Sequence, residues 1–460
     1  MPNASPRPAR RPRALGAAAL GLLLGAAACN TDVSDPSIVD PGSLQNTAAI
    51  PTLVAGATGD FAYAFAGDNG NTEGAILLGG LRADEFRNSD YFSTRIEVDR
   101  GVININNGSV GALFFNLNRA RRSADLAAST IAAVAAADYR RAAALNLGAY
   151  TYVLLAETFC SGIPFTEIGA NGTSLDYGQP LTTQQVFQIA KARFDTAVTI
   201  AEAAVAAGDN PDLAQQEAYL ARVGRARAFL GLGQLDSAAA SVEGVPDDFL
   251  YDIQYSENTG RENNGVYGFN AVAGRWSVAD QEGGNGLPFV SAEDPRVPVT
   301  DTKSVGVDAT TDLVILDKYS SLGSSIPLAS GVEARLIRAE ASLEGKIAGG
   351  SPADALDRLN ALRAEAGLDP LTLQPDLDAQ RRQLFAERAF WLFATGHRLG
   401  DMRRLVRPTA QGGYNFAITS VFPTGPYPKG GAPYGQEVNL PIPVNELNNP
   451  NFQQCIDRST

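Results

Sequence analysis

Leu145, Gly148, Tyr152, Leu155 and Phe159 are spaced by three, four, three and four residues. On a backbone of 3.6 residues per turn, that spacing puts all five on one face of one helix. Phe187, Ala190, Phe194, Ala197, Ala201 and Ala204 do nearly the same. A chain striped in this way must bury each stripe against another helix, so the expected fold class is mostly α.

The stripes recur as pairs. Tyr219, Val223, Ala226 and Leu230 line one predicted helix, the turn GLGQ follows, and Leu235, Ala238 and Val242 line the next. Leu336, Ala339 and Leu343 lead through the break GKIAGGSP into Ala355, Leu359, Leu362 and Ala366. Small residues where two helices would cross, with a turn between them, follow the logic of tetratricopeptide-type repeats. Neither pair carries the full repeat signature and the spacing is irregular, so the repeats are degenerate. They are expected at about 110–245 and 331–407 of a single domain spanning 46–460. Between them, about Pro246 to Ser330, the chain is rich in Gly, Asn, Asp and aromatic residues and has no helical period. Gly67 to Asn107 and the tail from Gly412 also read as loop-rich. Long loops on a helical scaffold are common places for binding.

The first residues place the chain outside the cytosol. A cationic stretch (PRPARRPR) precedes an apolar run (ALGAAALGLLLGAAA) and Cys29, which is the layout of a secretory signal at 1–28. The small residues before Cys29 resemble a bacterial lipoprotein box, in which the cysteine is lipidated, although Ala26 stands where that box prefers leucine. An ordinary cleaved signal and an uncleaved anchor are the alternatives. The turn-rich segment 29–45 reads as a tether. Two further cysteines, Cys160 and Cys455, form an even pair in an oxidising compartment and point to a disulfide, with two buried free thiols as the alternative. The formal net charge of −13 includes four arginines and no acid within the first 28 residues, so the remaining body is more acidic still. Such a body repels phosphate backbones, which argues against nucleic acid as a partner.

Several segments carry a resemblance. The tether DVSDP, LGAYTYVLLAETFCSGIPFTE, LIRAEASL, AERAFWLFATGHRLGDMRR and the ending LPIPVNELNNPNF resemble, in order, the SusD/RagB family of outer-membrane nutrient-binding lipoproteins. The resemblance implies a SusD-like fold of helical repeats with long loop-rich insertions. It also implies a lipid-anchored protein on the outer membrane, at the cell surface, beside a SusC-like TonB-dependent transporter. The protein would capture an oligosaccharide or other oligomeric nutrient without cleaving it. In that family the run from Glu387 to Arg404 is structural, so His397, the only histidine, is expected in an ion-paired helix end with Arg388, Arg398, Asp401, Arg403 and Arg404. Gly396 can end the preceding helix in a left-handed cap. Leu399 and Gly400 stand where relatives often carry aromatics.

Sugars pack their C–H faces on aromatic rings and bond their hydroxyls to nearby polar groups. The candidate ligand-binding residues are therefore Tyr91, Phe92 and Arg95 in DYFSTR, with Tyr267, Phe269, Arg275 and Trp276 in the insertion; the competing reading is that these rings pin the loops to the body. A secreted glycosidase and a ligand-free envelope scaffold are the alternative functions. The carboxylate pairs Asp84 with Glu85 and Asp247 with Asp248 are adjacent in sequence and read as solvated surface, not as a catalytic pair. GDNGNTEG (Gly67 to Gly74) offers oxygen ligands, but Gly70 breaks EF-hand spacing. No zinc cluster, P-loop or Gly-x-Ser-x-Gly motif occurs, and no cofactor is expected.

Overall fold

The computed structural model describes residues 45–168 and 174–458. The expected signal segment, the lipidation site Cys29 and all but the last residue of the tether lie outside the described residues.

The fold is mostly α. Helices α1 (Ile50–Ala66), α2 (Ala75–Arg82), α3 (Ser93–Arg100), α4 (Gly108–Val134), α5 (Arg140–Thr158), α6 (Thr183–Ala207), α7 (Pro211–Gly231) and α8 (Leu235–Ser241) build the first half. From α4 to α8 each helix packs on the next in chain order, and α1 lies across α4 and α5. Local chemistry fixes the starts. Asn107 accepts from Val110 N–H at the head of α4. Thr182 and Gln185 form a reciprocal capping box at the head of α6, with the Thr182 N–H 2.8 Å from Gln185 Oε1. The apolar stripes meet where small residues allow close approach: a Cβ on Gly224 of α7 would stand 2.3 Å from the ring of Phe194 on α6.

The strands are short. β1 (Phe86–Asn88) is followed by β2 (Ile163–Pro164), β3 (Glu167–Ile168), β4 (Leu175–Asp176) and β5 (Pro180–Leu181), then by β6 (Leu250–Ile253) and β7 (Trp276–Val278). β8 (Val299–Val305), β9 (Asp312–Leu316) and β10 (Ile326–Ser330) complete the set, and all pair antiparallel in twos. β6 with β10 closes the base of the loop-rich insertion, setting Leu250 opposite Ser330. Within the insertion, α9 (Gly265–Tyr267) runs into a π-helical turn at Gly268–Val272.

Helices α10 (Gly331–Leu343), α11 (Pro352–Glu365), α12 (Leu377–Trp391) and α13 (Arg398–Val406) enclose a second hydrophobic cluster around Leu336, Leu362, Phe385 and Met402. Charge is also buried here. Arg388 forks onto Asp401 at 2.8 and 3.0 Å, and Arg404 bridges Asp401 and Glu340. Arg403 donates to the carbonyls of Ala156 and Phe159 at the end of α5, and Arg407 donates to Gly231 O at the end of α7. These guanidiniums satisfy helix-end carbonyls that have no partner in their own helix. His397 is buried between Arg227 (3.0 Å), Glu333 (3.1 Å) and Thr395 (2.9 Å). Gly396 does adopt φ +76°, but α12 already ends at Trp391, so the glycine turns the connection to α13 and is not the cap.

Cys160 and Cys455 are bonded to each other. Backbone pairs flank the link: Cys160 N–H donates to Leu440 O and Ile456 N–H to Ser161 O, fixing the tail to the end of α5. Among the described residues, no helix is long and apolar enough to cross a membrane.

Candidate functional site

The pairing of β1 with β7 brings two distant loops together. Asn88 stands opposite Trp276, and the next residue, Ser89, donates its N–H to Arg275 O at 3.0 Å. The β8–β9 turn joins them: Val307 N–H binds Gly274 O, and Asp308 N–H binds Ser89 O.

At the edge of this junction the chain reverses around Asp90, which is wholly buried. One oxygen of its carboxylate accepts from the N–H groups of Tyr91 (2.6 Å) and Phe92 (3.2 Å). The other meets the guanidiniums of Arg95 and Arg275. Held from below, the two rings turn outward. Tyr91 is 64% exposed and Phe92 44%, and they stack on each other with centroids 5.1 Å apart.

Beneath them Arg95 is buried, its Nε 2.5 Å from Glu73 Oε1. Its guanidinium carbon lies 5.0 Å from the Phe92 centroid, 5.1 Å from Phe269 and 5.2 Å from Trp276. Arg275 lies over Phe92 as well, at 5.5 Å. Lys429, from the tail, donates to Asp90 O at 2.7 Å and pairs with Asp308 at 2.6 Å. Burial opposes ionisation of Asp308, but the bonds from Lys429 and Thr311 outweigh it and hold the carboxyl well below the usual range. Behind this layer, Asp99 accepts from Asn88 N–H and Tyr427 O–H, both at 2.9 Å. Burial and the neighbouring Glu282 push its carboxyl up to about 7.

The result is an exposed aromatic platform on a base that cannot yield without breaking buried ion pairs. A flat C–H surface can stack on the exposed face of Tyr91, with the partly exposed Arg275 beside Phe92 as a donor.

Residues 333–454 match the SusD family. Among solved structures, a laminarin-binding SusD-like protein aligns with a TM-score of 0.62 at 15% identity, covering 89% of this chain and 99% of its own. A SusD superfamily protein from Bacteroides thetaiotaomicron aligns with 0.61 at 14% identity, over 89% and 100%. A SusD-like carbohydrate binding protein from Bacteroides vulgatus gives 0.60 at 13% identity, over 88% and 97%. The fold is SusD-like. No curated protein matches the sequence.

In this SusD-like chain the seven candidate residues separate. Tyr91 and Phe92 form the platform, with Arg275 beside them. Arg95 supports it from within. Phe269 and Trp276 are fully buried, contrary to their expected role as a binding surface: the π-helical turn and β7 direct both rings inward, where they pack edge to face at 4.8 Å against Arg95. Tyr267 is half-buried against the main core.

Other expectations also change. Asp84 and Glu85 are not solvated: both are buried, Asp84 gripped by Arg398 at 2.6 and 2.8 Å, and Glu85 bound by Ala394 N–H at 2.9 Å. Asp247 and Asp248 are exposed. Glu73, in the segment GDNGNTEG that lacks EF-hand spacing, faces Arg95.

Sequence reading missed Asp90 and Lys429. Asp90 carried a signal, an acid immediately before two aromatics that could bond their amides. Lys429 carried none, since its partner Asp90 lies 339 residues away.

A larger cleft, about 990 Å³, opens between α1, the start of α7 and β6. Two of its three tyrosine hydroxyls are engaged internally, Tyr251 on Glu217 at 3.0 Å and Tyr255 on Ala62 O at 3.1 Å. Burial pushes the Glu217 carboxyl up to about 7. The platform is the better candidate because its rings are both exposed and rigidly held.

Proposed function

We propose that this chain is a binding protein that captures an oligomeric glycan on the Tyr91–Phe92 platform and passes it, uncleaved, to a TonB-dependent transporter in the outer membrane, where lipid on Cys29 holds it. The observation that carries the reading is the exposed, stacked ring pair fixed by Asp90 and Arg95. Two structural relatives support the ligand class, since one binds carbohydrate and another laminarin. The burial of Asp84 and Glu85 weighs against a glycosidase, because neither acid of that pair can flank a scissile bond in solvent.

The transporter step is tested by co-purification. The full chain with Cys29 intact is expressed in its own host, the outer membrane is solubilised gently, and bound proteins are identified. Recovery of a TonB-dependent barrel in near-stoichiometric amount is the expected result. Its absence, with the chain itself recovered from the membrane, would count against delivery and in favour of a scaffold.

A further inference from the structure

A second hollow lies close to the platform. It measures about 410 Å³ and sits between the head of α4 and the segment Pro443–Glu446, within the range of sites that hold small ligands. A hydrogen bond links the two places: the carbonyl of Thr94, two residues beyond Phe92, accepts from Nδ2 of Asn107, which lines the hollow, at 2.8 Å. Val444 N–H on Ile105 O, 3.1 Å, joins the two sides of the hollow.

The lining is unusual for a helix surface. Phe115 on α4 is 65% exposed although its neighbours Leu113, Phe114 and Leu117 are buried, so its ring serves no core. Asn106, Asn118 and Asn445 surround it with carboxamides. Asn118 spends its N–H on Phe114 O and keeps its carbonyl oxygen for another donor. The Glu446 carboxyl is raised by burial, and among the described residues its side chain has no hydrogen-bond partner. No lysine or arginine lines the hollow.

We infer that this hollow is a second subsite, which takes one neutral sugar residue of the same oligosaccharide that lies on the platform; the inference rests on the glycan-binding reading above. Phe115 stacks on the sugar face, the asparagines and Glu446 bond its hydroxyls, and the lone carboxylate repels uronate and sulfate groups.

Titration calorimetry of the full chain tests this, with malto-, cello- and laminari-oligosaccharides of two to six residues as probes. Phe115→Ala and Glu446→Gln are each expected to weaken hexasaccharide binding about tenfold more than disaccharide binding, whereas Tyr91→Ala with Phe92→Ala weakens both lengths alike. Circular dichroism confirms that the variants fold. Hexasaccharide affinity within about twofold of wild type in both hollow variants overturns the subsite and leaves the platform standing. Absence of binding to every probe by the wild-type chain overturns the subsite together with the reading on which it rests.

Discussion

Asp90 and Arg95 form a buried ion pair directly behind the exposed rings of Tyr91 and Phe92. Neither side chain is placed to touch a ligand, yet both set where the rings stand. Asp90→Ala removes the acceptor for two ring-bearing amides and one partner of Arg95, which keeps Glu73. Breaking a buried pair costs about 3–5 kcal/mol, and the remaining partner places this variant at the low end. Chemical denaturation should show that loss, and glycan affinity should fall with it although no contacting group has been removed.

Stability should depend on pH through Glu85. Burial, reinforced by the charge of Asp84, pushes its carboxyl up to about 8 against an ordinary value of 4.5, despite the bond from Ala394 N–H. Between those two values the folded chain holds a proton that the unfolded chain releases. Folding stability therefore falls as pH rises through this window, with a slope of up to about 1.4 kcal/mol per pH unit from this one group. Glu217, pushed up to about 7, adds a slope of the same sign. Glu85→Gln should remove the Glu85 part, so denaturation at pH 5 and pH 8 should show the variant gaining on wild type at the higher pH.

Two glycines should respond oppositely to the same change. Gly224→Ala drives a methyl into Phe194 and should cost about 1–3 kcal/mol by overpacking. Gly56, exposed inside α1, has nothing within 4 Å of the position a methyl would take. Gly56→Ala should stabilise by about 0.5–1 kcal/mol, because it reduces the freedom of the unfolded chain and favours helix. Urea midpoints of the two variants decide this.

The bond between Cys160 and Cys455 closes a loop with a sequence separation of 295. Replacing Cys455 with serine should lower stability by about 2–4 kcal/mol. It should also release the backbone pairs of Ser161 with Ile456 and Asp457, which hydrogen exchange at the Ser161 and Ile456 amides would register as lost protection.

The helical body was legible because its information is periodic. The stripes through Tyr152 and Phe194 mark buried faces of α5 and α6, and α7 approaches the rings of Phe194 and Tyr150 closely at Gly224. The pair of cysteines left after Cys29, Cys160 and Cys455, likewise pointed to a bond that the structure contains. Irregular loops carry no period, so nothing in the sequence separated Tyr91, which faces solvent, from Trp276, which faces Arg95. Asp84 read as surface because Arg398, the cation that makes its burial tolerable, lies 314 residues away. The ion-paired run around Asp401 was expected from the family resemblance, and its partners Arg388 and Arg404 lie within 13 and 3 residues of it.

The central claim, that a glycan is held on the Tyr91–Phe92 platform, is tested most directly by titrating the wild-type chain and the Tyr91→Ala, Phe92→Ala double variant with the same oligosaccharide. Stacking of a sugar face on these rings is lost when they are removed, and both side chains are exposed, so the variant should fold normally. The predicted result is saturable binding by wild type and at least about a hundredfold loss in the variant, a difference of about 2.8 kcal/mol. Equal affinity in the two proteins would contradict it.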